Sequence, residues 1–195
     1  LSKKYSEEDI KSTGLYYFVE KNQKFIDRFK NRIIFPILNL SGDIIAFGGR
    51  IIGDVNLAKY INSPETEFFK KGRQLFNLNF AKDERSTSEE VIIVEGYMDV
   101  ISLYSRGIKN VISNCGTAIT ESQINLIWKF FSDPIICLDG DKSGQQAALR
   151  IAERLFPLIN EVNKIYFSIL SQGKDPDDIV KDVGKEGFLK FLDNK

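Results

Sequence analysis

An α/β fold, with a mostly parallel sheet flanked by helices and a small basic α+β lobe ahead of it, is predicted by three observations. Apolar runs at 91–94, 110–113, 134–138 and 164–170 alternate with helical stretches, the pattern of parallel strands joined by crossover helices. The acid clusters of this second part stand just after such runs. A polar stretch at 81–90 (AKDERSTSEE) separates it from a basic first part.

In the first part, Ser6 followed by Glu7, Glu8 and Asp9 opens a helix within 6–20, because a Ser cap and early acids satisfy free N–H groups. Gly14 weakens any long version of it. Residues 32–38 (RIIFPIL) read as a strand, with Pro36 pointing to an edge or bulge. Asn39 to Asp43 supplies turn chemistry and 44–48 returns as a second strand. Gly48, Gly49 and Gly53 surround Arg50; without the Lys-Ser/Thr of a P-loop they read as bulge glycines. Residues 62–66 (NSPET) form a loop.

In the second part, 91–94 is a β-branched run of the buried parallel kind. A helix follows over 98–106 and stops at Gly107. Strand 110–113 leads to a capping-box pair, Thr120 with Gln123, that opens a helix to about Phe131. Strand 134–138 precedes a helix over 143–156, with Ala147, Ala148, Ile151 and Leu155 at helical spacing. Strand 164–170 closes the series, and no internal repeat is present.

Composition removes several classes. Hydrophobic residues are 43% and charged residues 28% of the 195, as in ordinary globular domains. No apolar run approaches the roughly 20 residues that cross a bilayer, so no membrane role is expected. Cys115 and Cys137 are too few for a disulfide scaffold and read as buried thiols of an intracellular, cytoplasmic protein. There is no histidine, which removes His-based triads and leaves no zinc-ligand set. Net charge is zero, yet unevenly spread. Between residues 28 and 73 eight basic residues face four acids (Asp43, Asp54, Glu65, Glu67), whereas from 91 onward 14 acids face 12 bases. A polyanion held beside a metal site fits that asymmetry, although such imbalances are also common on solvated surfaces.

The chemistry is read from the strand ends, where open parallel sheets place their ligands. Glu95 ends the first strand, and Asp99 follows on the first helical turn. Asp139 and Asp141 end the third strand; Asp175, Asp177 and Asp178 follow the fourth. An extended Asp-Gly-Asp sends both carboxylates to one side, and Gly140 lets the backbone approach a ligand. Ionised carboxylates gathered this way repel unless a cation neutralises them, and an oxygen-only donor set suits a hard divalent ion. Any one of these acids alone is also explained as a turn or cap. Trp128, Cys115, Cys137, Phe68, Phe69 and Phe76 read as packing, Tyr97 as packing or site support, and Tyr60 and Tyr104 show nothing of a nucleophile.

Two of these segments, Glu95-Gly96-Tyr97-Met98-Asp99 after its apolar strand and Cys137-Leu138-Asp139-Gly140-Asp141-Lys142-Ser143-Gly144, resemble the signature motifs of the Toprim domain. That domain is shared by topoisomerases, DnaG-type primases, and some nucleases and recombination proteins. Further motifs run in order: Phe35-Pro36-Ile37, Phe47-Gly48-Gly49-Arg50, Lys59-Tyr60-Ile61-Asn62-Ser63-Pro64-Glu65-Thr66, Lys71-Gly72-Arg73-Gln74-Leu75 and Lys174-Asp175-Pro176-Asp177. Together they resemble the RNA polymerase domain of bacterial DnaG-type primases, from about residue 28 to the C-terminus.

The resemblance implies a Toprim-type sheet over 89–172, a basic α+β lobe over 1–88, and an acidic loop with the start of a helical subdomain over 173–195. It implies a DNA-dependent RNA polymerase making primers on single-stranded DNA from NTPs, using two or more Mg²⁺ or Mn²⁺ ions. Glu95, Asp139 and Asp141 would be catalytic, and Glu95, Asp99, Asp139, Asp141, Asp175 and Asp177 would hold metal. Glu95 would bind metal directly or through water, or manage the 3′-hydroxyl proton. Arg28, Lys30, Arg32, Arg50, Lys59, Lys71 and Arg73 would grip template and NTP phosphates. Such families add a zinc-binding domain before the core and a helicase-binding domain after it, so the chain reads as a truncated core whose replicative-helicase partner binds elsewhere. A Toprim nuclease or topoisomerase fragment, or a non-catalytic nucleic-acid-binding module, is the alternative.

Overall fold

Local capping chemistry shapes the first elements of the computed structural model, which describes residues 4–53, 57–116, 118–170 and 173–192. Asp54, part of the charge balance above, lies outside them, as do the ends of the expected second and third domains. Ser6 and Asp9 form a reciprocal capping box at the start of α1 (Glu7–Ser12), each accepting the other's backbone N–H at 3.0 Å. The helix ends far short of residue 20, because Gly14 takes a left-handed φ of 67° against Pro64. The chain then makes an antiparallel hairpin of β1 (Tyr16–Val19) and β2 (Lys24–Asp27), which the sequence reading missed. A three-stranded antiparallel sheet follows: β3 (Arg32–Leu38), β4 (Ile44–Ile51) and β5 (Tyr60–Asn62), in that order. Pro36 sits on an edge strand, where no ladder N–H is needed. Asn39 closes the β3–β4 turn by accepting the N–H groups of Ser41 and Asp43. Gly49 is explained by packing: a Cβ there would lie 2.7 Å from the Phe29 ring.

The second unit is a five-stranded sheet. Its elements are β6 (Leu75–Phe76), α2 (Leu78–Ala81), β7 (Glu90–Val94), α3 (Tyr97–Ser105), β8 (Val111–Asn114), α4 (Glu121–Ile127), β9 (Asp133–Leu138), α5 (Lys142–Leu155), β10 (Tyr166–Ile169) and α6 (Pro176–Leu192). The strand order is β10-β9-β7-β8-β6. The four expected strands pair in parallel, and only β6 runs antiparallel, against β8. The core contains Ile92, Val94, Val100, Leu103, Val111, Ile135, Ile179 and Phe188, so β7, β8 and β9 are covered by α3 and α6. Burying each such apolar side chain contributes roughly 1.5–3 kcal/mol. α5 packs on β9 and β10 and buries Ala148, Ile151 and Leu155. Gly184, at φ 71°, interrupts α6.

The chain divides into compact units 1–70 and 71–195, earlier than the expected boundary at 88. The reason is hydrogen bonding. Thr120 Oγ1 donates to the Gly72 carbonyl at 2.6 Å, and Gln123 Nε2 donates to those of Lys71 and Gln74 at 3.0 and 2.7 Å. With β6 paired to β8, residues 71–88 are fastened to the sheet. The polar stretch at 81–90, expected as the boundary, is over Lys82–Ser86 short helical structure leading into β7.

Candidate active site

The parallel register decides which acids meet. β7 and β9 pair directly, so Glu95 and Asp139, each the residue after its strand, end side by side. β10 lies beyond β9, and the loop from it brings Asp175 to the same edge. Burial, then the charges of Glu95, Asp175, Asp141 and Asp178, push the Asp139 carboxyl up to about 6. Burial, then Asp175, push that of Asp99 up to about 7, against the pull of the Gly96 N–H; Asp139 and Asp177 add to the rise. These acids therefore stand within electrostatic reach of one another. The nearby Cys137 thiol is pushed up by burial and by Asp139, Asp99 and Glu95.

Three of the acids also have a local backbone task. Asp99 Oδ2 accepts the Gly96 N–H at 3.1 Å at the start of α3. Asp141 caps α5 by accepting the Gly144 N–H at 2.7 Å, and Asp175 accepts that of Asp178 at 2.8 Å at the start of α6. Gly144 has a steric reason too: a Cβ there would lie 2.0 Å from the Asp139 carbonyl oxygen. The Asp-Gly-Asp-Lys-Ser-Gly spacing thus sets the α5 N-terminus hard against the end of β9. Asp139, Asp141, Asp175 and Asp178 surround one cleft of ≈ 220 Å³, with Lys174 at its side.

Asp177 differs from the expectation. Its carboxylate accepts from Ser102 Oγ of α3 and from Lys181 Nζ, while Arg106 Nη1 donates to the same Ser102 oxygen at 2.8 Å. It ties α6 to α3, and Asp178 takes the place beside the cleft. No signal in the sequence pairs Ser102 with a residue 75 positions away.

The basic residues also divide. Arg28 Nε donates to the Gly14 carbonyl at 3.0 Å, and Arg32 Nη1 to those of Gly49, Ala58 and Lys59 at 3.3, 2.9 and 3.4 Å, so both hold backbone in place. Arg50 lies over the Tyr60 ring, 5.7 Å from its centroid. Lys30, Lys59 and Arg73 are exposed, and Lys71 and Arg73 belong to the second unit with the acids. Tyr97 is buried edge-on to Phe76 with centroids 4.8 Å apart, which is packing. Trp128 donates to the Lys164 carbonyl at 3.0 Å. Phe69 is core, whereas Phe68 is 74% exposed.

The donor set fits a hard cation: it is oxygen-only and self-repelling. Among the described residues, however, no three acids are gathered tightly enough to enclose one ion by themselves. Such a site completes its shell with water and substrate oxygens. No helix among the described residues is long and apolar enough to cross a membrane.

Comparison with known proteins gives the arrangement a family. Residues 1–82 match the N-terminal domain of the DNA primase catalytic core, and residues 89–166 match the Toprim domain. The chain belongs to the DnaG-type primases. It is 43% identical over 194 residues to the DNA primase of Clostridium acetobutylicum, an alignment covering 99% of this chain and 31% of that one. With the DNA primase of Escherichia coli K12 it shares 41% identity over 162 residues, covering 83% and 28% respectively. The chain thus spans under a third of the length of these primases. A primase domain from Pseudomonas aeruginosa superimposes with a TM-score of 0.90 at 37% identity, over 96% of this chain and 58% of that one. A DnaG primase catalytic domain bound to single-stranded DNA gives 0.90 at 34%, over 98% and 62%. Toprim primases work with divalent metal ions.

Proposed function

We propose that this chain is the RNA-polymerising core of a primase, joining NTPs on single-stranded DNA by metal-dependent nucleotidyl transfer. The observation that carries the reading is the meeting of Glu95, Asp139 and Asp175 at one sheet edge, with the Asp139 carboxyl pushed up by burial and then by both neighbours, inside a chain that matches both parts of the primase core.

Asp139, Asp141, Asp175 and Asp178, with Asp99 beside them, would hold two or more Mg²⁺ or Mn²⁺ ions, completed by water and substrate oxygens. When bound, those ions neutralise the charge that develops on the attacking oxygen and the departing pyrophosphate. Glu95, exposed at the strand end next to Asp139, takes the proton of the 3′-hydroxyl. Asp177 positions the acidic loop through Ser102 and Lys181 rather than touching substrate. Lys30, Arg50, Lys59, Lys71 and Arg73 bind template and NTP phosphates, contacts that carry no sequence information. Arg28 and Arg32 support the backbone around them.

The test incubates the chain with single-stranded template, NTPs and Mg²⁺ or Mn²⁺. Short RNA that disappears on chelation with EDTA, and in Asp139→Asn, is the expected result. Cleavage of the template without RNA synthesis would replace this reading with a nuclease.

A further inference from the structure

A second cleft, of ≈ 520 Å³, opens in the second unit with Glu95 in its lining. Its character is opposite to that of the acidic cleft. Leu138 and Ile151 give it an apolar floor. Arg150 and Arg154, one helical turn apart on α5, stand at its rim, and Asn114 at the end of β8 adds an amide. Arg150 Nε donates to the Gln146 carbonyl and Arg154 Nη1 to that of Ile119, at 3.2 and 3.1 Å. A guanidinium carries five N–H donors, so each bond leaves a fork for an anion. Among the described residues Glu95 is the sole acid in this lining, and its charge acts on Asp139 of the acidic cleft.

The chemistry of starting a chain needs two nucleotides side by side, one supplying a 3′-hydroxyl and one a triphosphate. The acidic cleft, ringed by four aspartates, repels phosphate except with cations, and so suits the triphosphate being attacked. The second cleft lies in the size range of small-ligand sites and joins apolar surface to fixed cations. From this, resting on the function proposed above, we infer that the Arg150–Arg154 cleft binds the nucleotide that supplies the 3′-hydroxyl. Its base and ribose lie on Leu138 and Ile151, its 5′-phosphate meets Arg150 and Arg154, and its 3′-oxygen lies beside Glu95. In the bond-forming step that oxygen attacks the α-phosphorus of the second nucleotide. The bond to pyrophosphate breaks, and the hydroxyl proton passes to Glu95.

Binding of AMP and GMP to the 195-residue chain, measured by calorimetry in EDTA, isolates this cleft, because the acidic one needs cations to take phosphate. The expected result is salt-sensitive binding without metal. Arg150→Ala should weaken it about tenfold, the loss of one charged hydrogen-bonding partner. Ala147→Met, which fills the cleft from an α5 position, should weaken it similarly. Thermal melts check that the variants fold. No metal-free binding at millimolar nucleotide, or binding untouched by both Arg150→Ala and Ala147→Met, overturns the inference. Intact AMP binding in a chain that makes no RNA overturns the polymerase reading while sustaining the cleft as a nucleotide site.

Discussion

Gly144 shows at the scale of one residue how the site is built. In an exposed helix interior, Gly→Ala stabilises by about 1 kcal/mol. Here the new Cβ would lie 2.0 Å from the Asp139 carbonyl oxygen, and backbone cannot yield as a flexible side chain does. Gly144→Ala is therefore expected to lower stability by about 1–3 kcal/mol, read as a fall in Tm of several degrees. A rise in Tm would show that the turn is looser than described. Asp99 gives a second expectation, with the opposite sign. Its carboxyl is pushed up to about 7, chiefly by burial and then by Asp175. A folded-state value above the ordinary one means that its contribution to stability is greatest in acid and declines as pH rises from about 4 through about 7. Asp99→Asn keeps an acceptor for the Gly96 N–H and removes the charge. In EDTA it should melt higher than wild type at pH 8 and close to it at pH 4. An equal difference at both values would mean that charge is not the cause.

At the scale of elements, α3 and α6 are coupled through polar atoms as well as through Val100, Ile179 and Phe188. Ser102 stands between the Asp177 carboxylate and the Arg106 guanidinium. Ser102→Ala removes the donor to one and the acceptor for the other, a loss of about 1–2 kcal/mol. The expected readouts are a fall in Tm of about 2–8 °C and faster amide exchange in α6 than in the distant β9. Unaltered exchange in α6 would show that apolar packing alone holds it. Asp177→Asn should reproduce the destabilisation while leaving divalent-ion binding close to wild type, since this carboxylate already has two partners. A loss of ion affinity equal to that of Asp139→Asn would restore Asp177 to the metal set.

For the whole molecule, phosphate contacts add through counterion release, whichever unit supplies them. Lys59 and Arg73 lie in different units and are both exposed. The Lys59→Ala, Arg73→Ala double variant should bind single-stranded DNA more weakly. Its log–log salt slope should flatten by about 1–1.5, close to 0.7 per lost contact. Unchanged affinity and slope in a folded double variant would remove these residues from the interface. Arg32→Ala is expected to behave differently, lowering stability of the β3–β4–β5 sheet, because its guanidinium bonds three carbonyls.

The sequence by itself determined the parallel strands and their site edge. β-Branched runs such as 91–94 and local pairs such as Thr120 with Gln123 depend on neighbours a few residues away, so composition and spacing reveal them. The acids after those strands followed from the rule that parallel sheets present ligands at their carboxyl ends. What only the tertiary structure decided depends on partners distant in the chain. β6 is two residues long and becomes a strand only by pairing with β8, which draws 71–88 into the sheet unit. The β1–β2 hairpin replaces a longer helix because Gly14 turns against Pro64, a residue fifty positions on. Among the acids, Asp177 and Asp178 are adjacent and chemically alike. A helix start turns one toward Ser102 and the other toward the cleft, and no local pattern encodes which, because the choice is made by α3 packing against α6.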